Sequence, residues 1–168
     1  HASEALCIVT VGPALEVELV TRNTGNAPIT VGDAFHTYFE VSDIRQCAIH
    51  GLGGCLYLDK VDGGKKKQQT GAVTIGEEVD RIYLDSVANI MIDDPGLKRR
   101  IRVAKRGSRS SVVWNPWIEK AAKMGDFGPN GYLNMVCVES TNAADDVVTI
   151  PAGGEHRLAV RYSVEPLG

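Results

Sequence analysis

His36 and Glu139 are the residues whose types and settings could do chemistry. His36 stands in Phe35-His36-Thr37-Tyr38-Phe39, an apolar, aromatic run that reads as a buried strand. Glu139 ends Met135-Val136-Cys137-Val138-Glu139, an equally apolar run. Imidazole, with an unperturbed pKa of about 6.5, exchanges protons near neutral pH. A single histidine in such a run reads first as a core residue bonded to a carbonyl. A carboxylate in a matching environment shifts the reading toward a general acid and a general base.

Other candidates are weaker. Asp80, in Glu78-Val79-Asp80-Arg81-Ile82-Tyr83, could accept two sugar hydroxyls, pair with Arg81 or cap a turn. Val113-Trp114-Asn115-Pro116-Trp117 offers two indoles and an amide. Flat rings covering pyranose C–H groups, beside an amide that reads hydroxyls, would make Trp114 and Asn115 sugar ligands; at least one indole is expected to be plain core. Seven basic residues lie between Lys98 and Arg109. Their alternation with Ile101 and Val103 fits the solvated face of an edge strand better than a nucleic-acid surface, because no aromatic residues interleave to stack bases. Lys65-Lys66-Lys67 reads as a solvated loop tip. His1, His36, His50 and His156 are widely spaced, none at ligand spacing with a cysteine, so no metal site is expected. Cys137 is not expected to be a nucleophile, since a nearby carboxylate raises a thiol pKa. No glycine-rich phosphate loop is present.

The elements that must hold these groups are strands. Leu6–Val11, Leu15–Leu19, Ile29–Val31, Ala34–Val41, Cys55–Leu58, Val73–Ile75, Asp80–Leu84, Asn89–Asp93, Arg100–Val103, Val112–Trp114, Met135–Glu139, Val147–Ile150 and Leu158–Val164 have strand patterns. Gly, Pro, Asn and Asp separate them, as in Asp94-Pro95-Gly96. Trp117–Met124 is the one helical piece, stopped at Gly125. This is an all-β chain, an antiparallel β-sandwich of one domain over residues 1–168.

The chain has 168 residues, 43% hydrophobic and 23% charged, with a net charge of −3. Such a balance gives no global attraction to nucleic acid or anionic membranes, and no run approaches the ~20 apolar residues of a membrane-spanning helix. The four cysteines form no CxxC pair and read as reduced thiols of a cytoplasmic protein. The chain begins His1-Ala2-Ser3-Glu4, without Met, and reads as a fragment of a longer protein.

Taken in order, these segments resemble the hexose-6-phosphate mutarotase (glucose-6-phosphate 1-epimerase) branch of the aldose 1-epimerase, or galactose mutarotase-like, family. The resemblance rests on Asn23-Thr24-Gly25, Ala34 to Phe39 with Val41-Ser42-Asp43-Ile44, and Gly51-Leu52-Gly53-Gly54. It continues through Glu78 to Tyr83, Ser111 to Trp117, and Val136 to Glu139, spanning nearly the whole chain. It implies part of a large β-sandwich with the site on a concave sheet. It implies interconversion of α and β anomers of a hexose 6-phosphate, with no cofactor. Carried over by position, His36 is the general acid, Glu139 the general base and Asp80 a hydroxyl ligand. Family members are longer at the N-terminus, where the phosphate-holding arginines normally lie, so no phosphate ligand is assigned.

The chemistry needs a base for the anomeric O1 proton and an acid for ring O5 as the C1–O5 bond breaks. The open aldehyde rotates and recloses while the two groups exchange roles. Burial among valines is expected to raise the Glu139 pKa toward that of imidazole, suiting a reversible exchange. The competing readings are a non-catalytic carbohydrate-binding sandwich using Trp114, Trp117 and Asp80, and an interaction module with a relict site. The sequence sets neither the preferred sugar nor the oligomeric state.

Overall fold

A computed structural model describes residues 2–125 and 127–168; His1 lies outside the described residues. Five strands open the chain: β1 (Ser3–Val11), β2 (Leu15–Asn23), β3 (Ile29–Val31), β4 (Ala34–Phe35) and β5 (Tyr38–Glu40). Then come β6 (Ala48–His50), β7 (Leu56–Asp59), β8 (Lys65–Gln68), β9 (Val79–Tyr83), β10 (Ile90–Asp94), β11 (Arg99–Arg106) and β12 (Ser110–Asn115). Helix α1 (Trp117–Lys123) precedes β13 (Met135–Thr141), β14 (Val148–Ile150) and β15 (Glu155–Pro166).

The strands form a six-stranded sheet, β1-β2-β15-β11-β10-β6, and a seven-stranded sheet, β4-β13-β12-β9-β7-β8, with β5 also paired to β13. A two-stranded ribbon joins β14 to β3. Every pairing is antiparallel. The large sheets share one core: Ile49, Ile90, Ile92, Ile101, Val103 and Val160 from the first meet Phe39, Tyr57, Tyr83, Val113, Val136 and Val138 from the second. This is the expected sandwich, made by the period-two alternation of each strand. The Gly107 turn carries the chain from one sheet to the other at φ +78°, where an added Cβ would meet the Arg157 carbonyl oxygen at 1.9 Å. Only glycine fits there.

Several local expectations change. The basic strand β11 lies inside its sheet, between β15 and β10, rather than at an edge. Its charges are answered from neighbouring strands: Arg100 bonds Asp93 at 2.6 Å, Arg99 lies 3.7 Å from buried Asp94, and Arg102 lies 3.9 Å from Glu165. Lys105 points inward, and burial lowers its pKa to about 8. The lysine triplet is no loop tip; it lies on edge strand β8, where Lys67 reaches Asp59 at 2.8 Å and Asp62 at 2.9 Å. Val73–Ile75 is not a strand, because only Val73 bridges to Ile49. The Ala34–Val41 run breaks in two at His36-Thr37.

Candidate active site

The site is built on the outer face of the seven-stranded sheet. Along β13, Val136 and Val138 enter the core, so the pleat sends Met135, Cys137 and Glu139 the other way. Register then sets a row across four strands. Asp80 on β9 stands opposite Trp114 on β12, Trp114 opposite Cys137, and Cys137 opposite Tyr38 on β5. One step along, Val112 stands opposite Glu139.

His36 occupies the gap between β4 and β5. Phe35 pairs with Ser140 and Tyr38 with Cys137, so extending that register sets His36 across from Glu139. The Thr37 N–H donates to the Phe35 carbonyl at 3.0 Å, a tight turn centred on His36. His36 is therefore not inside a buried strand; its side chain is 50% exposed. Phe35 and Phe39 supply the inward-facing contacts of this stretch.

The histidine Nε2 lies 3.3 Å from Glu139 Oε1, and the glutamate side chain is only 8% exposed. The His36 ring stacks on Tyr38 at 4.9 Å and meets the edge of Trp114 at 5.9 Å. Phe127 closes on the other side of Trp114 at 6.2 Å. The Lys120 ammonium sits 5.7 Å from the Trp114 ring centre, 3.1 Å from Glu78 and 3.9 Å from Asp80.

Burial raises the Glu139 pKa to about 7, with the Asp80 charge adding to it. This is the expected direction of shift. Burial also raises Asp80, while the Lys120 charge opposes the shift. An imidazole and a carboxylate of raised pKa thus face each other beside a second carboxylate. Burial, with the Glu139 charge adding to it, raises the Cys137 thiol pKa, which disfavours a free thiolate in the absence of a metal. The donor atoms of His36, Cys137 and Glu139 all lie within 4.8 Å of one another, a grouping that sequence spacing does not reveal.

The structure thus brings together four of the five expected residues: His36, Glu139, Asp80 and Trp114. Trp114 is mostly buried among Met135, Cys137, Met124 and Phe127, so little of its ring is open to a ligand. Asn115 does not join them and faces structural partners instead of the site. It is fully buried, and its amide nitrogen donates to the carbonyls of Tyr132 at 2.8 Å and Met135 at 2.9 Å. Its Oδ1 accepts from the Trp117 N–H at 2.9 Å. That bond holds Trp117, whose φ of +54° is a left-handed conformation that bulky residues avoid. Trp117 itself packs on the core and on Tyr132 at 5.3 Å, as one indole was expected to do. Tyr38, Lys120 and Phe127 escape sequence reasoning; for Tyr38, its period-two spacing from His36 was the available signal.

Among the described residues, no helix is long and apolar enough to cross a membrane. The sequence profile of the aldose 1-epimerase family matches residues 1–163. A protein of Cenchrus ciliaris named "Putative glucose-6-phosphate 1-epimerase" is 37% identical over 171 residues, covering 99% of this chain and 52% of that protein. An Escherichia coli K12 protein of the same name is 34% identical over 146 residues, covering 86% of this chain and 48% of its own length. The crystal structure titled a "putative mutarotase" from Salmonella typhimurium matches with a TM-score of 0.89 at 31% identity, over 99% of this chain and 55% of that one. The chain spans about half the length of the curated relatives it matches. With the profile running over nearly every residue, and the expected antiparallel sandwich in place, the chain belongs to the aldose 1-epimerase family.

Proposed function

We propose that this site interconverts the α and β anomers of a hexose 6-phosphate by acid–base ring opening. O1 and O5 are both bonded to C1, so acid and base must converge on two oxygens of one carbon. The observation that carries the reading is the 3.3 Å separation of His36 Nε2 and Glu139 Oε1. Glu139 takes the O1 proton while His36 protonates O5 as the C1–O5 bond breaks. The aldehyde turns about C1–C2 and recloses with the roles reversed. A carboxyl pKa of about 7 suits this reversal, because neither direction then faces a steep proton-transfer cost. Asp80 receives sugar hydroxyls, and Trp114 and Tyr38 border the ring. The phosphorylated substrate is supported by the names of the relatives. The four cysteines are free thiols, which fits a reducing, cytoplasmic setting.

Two-dimensional NMR exchange between the anomers of glucose 6-phosphate, with and without the chain, tests the reading. Acceleration that vanishes in Glu139→Gln supports it. Saturable sugar binding with no acceleration would replace it with a carbohydrate-binding module.

A further inference from the structure

We propose that His36, Cys137 and Glu139 form a three-donor site for Zn²⁺ on the site face of β13. The donor set is one imidazole nitrogen, one sulfur and one carboxylate oxygen. That mixture suits zinc, whereas magnesium and calcium take all-oxygen shells.

The backbone supplies the arrangement. Cys137 and Glu139 are two residues apart on one strand and so project from the same face. The break between β4 and β5 sets His36 across the ladder from Glu139. Zinc bonds of about 2.0–2.1 Å to nitrogen and oxygen and about 2.3 Å to sulfur give tetrahedral edges of roughly 3.3–3.7 Å. The His36–Glu139 edge, at 3.3 Å, already has this length. The remaining edges, at most 4.8 Å, close by about an ångström, within reach of side-chain rotation. Cys137 is fully buried, with its sulfur within 4.8 Å of the other two donor atoms. The half-exposed His36 ring leaves a path from solvent and a fourth position for water or a sugar hydroxyl.

Binding is a proton-for-metal exchange. The Cys137 S–H bond breaks, its proton leaves to solvent, and the sulfur electron pair forms the bond to zinc. His36 and Glu139 donate lone pairs without a change of oxidation state. If the acid–base reading above holds, zinc occupies both proton-transfer groups and competes with sugar.

The test measures zinc bound per chain by equilibrium dialysis, and the absorption spectrum with Co²⁺ as a probe. One metal should bind, and Co²⁺ should give a thiolate-to-metal charge-transfer band with tetrahedral ligand-field intensity. Cys137→Ser should abolish the band, and both it and His36→Ala should weaken zinc binding roughly tenfold or more, since even outer-shell changes cost that much. His36→Ala changes an exposed ring and keeps the test decisive should Cys137→Ser fail to fold. His50→Ala, at the separate His50–Asp93 pair, should leave binding unchanged. A missing charge-transfer band, or equal affinity in the wild type and His36→Ala, overturns the proposal. The readout needs no catalysis, so zinc binding by a chain that gives no anomer exchange when metal-free would refute the acid–base function and leave this site standing.

Discussion

The Thr37 and Tyr162 hydroxyls share a 2.5 Å hydrogen bond that ties the His36 turn to the opposite sheet. Tyr162 lies on β15, and its ring also meets Phe39 at 5.5 Å. His36 thus hangs from a bridge across the sandwich, with one tyrosine holding both Thr37 inside the break and Phe39 beyond it. Tyr162→Phe keeps the ring packing and removes the bond, at a cost of about 1 kcal/mol. We expect kcat to fall several-fold with KM nearly unchanged, because a looser His36 spends less time aligned with Glu139. Thr37→Val should do the same, and the double variant should add little to either single change. Additive losses would detach the bridge from the histidine.

Glu139→Gln should slow anomer exchange by about 10²–10⁴-fold. The same substitution has a stability signature. Burial raises the folded-state pKa from 4.5 to about 7, so the folded chain binds the proton more tightly than the unfolded one. That contribution is fully present below about pH 4.5 and is lost as pH rises through about 7. At pH 8, Glu139→Gln should therefore be the more stable protein by up to about 3 kcal/mol relative to its difference from wild type at pH 4. Urea melts at the two pH values check the sign.

Asp80→Asn separates binding from proton transfer. Removing a hydrogen-bonding charge costs about 1.5–3 kcal/mol, so KM should rise roughly 10- to 100-fold. Because the Asp80 charge helps to raise the Glu139 pKa, the acidic limb of the pH–rate profile should move to lower pH. An unmoved limb alongside a raised KM would leave Asp80 as a sugar ligand electrostatically isolated from the base.

Asn115→Ala should be felt in stability rather than in substrate affinity. It leaves the carbonyls of Tyr132 and Met135 and the N–H of Trp117 without their partner. Each unsatisfied buried group costs about 1–3 kcal/mol, partly relieved by local adjustment, so a loss of about 2–4 kcal/mol is expected in thermal or denaturant unfolding. A variant of normal stability with a raised KM would point to Asn115 as a ligand.

The site was legible where local pattern and chemistry agree. His36 and Glu139 are ionisable groups in apolar runs, and the register that joins them follows from two antiparallel strands. The setting of Asn115 was not legible, because its three partners lie on α1 and around Tyr132 and Met135, which no local spacing announces. The basic run at β11 misled because its alternation was real but its position in the sheet was not written locally. Whether a charged strand is central depends on Asp93, Asp94 and Glu165 arriving from two other strands. The Lys65–Lys67 strand is hidden for the same reason, since Asp59 and Asp62 neutralise what looks like a loop.

The pleat of β13 also decides how this protein can vary. All seven of its residues are buried, so burial alone ranks them as equivalent. Their parity does not. Even-numbered Val136 and Val138 serve cohesion, while odd-numbered Cys137 and Glu139 line the candidate site. A saturation library read once for abundance and once for activity should separate these neighbours into two interleaved alphabets. One tolerates any aliphatic of similar volume and nothing polar; the other tolerates almost nothing for turnover yet permits isosteric polar exchange for folding.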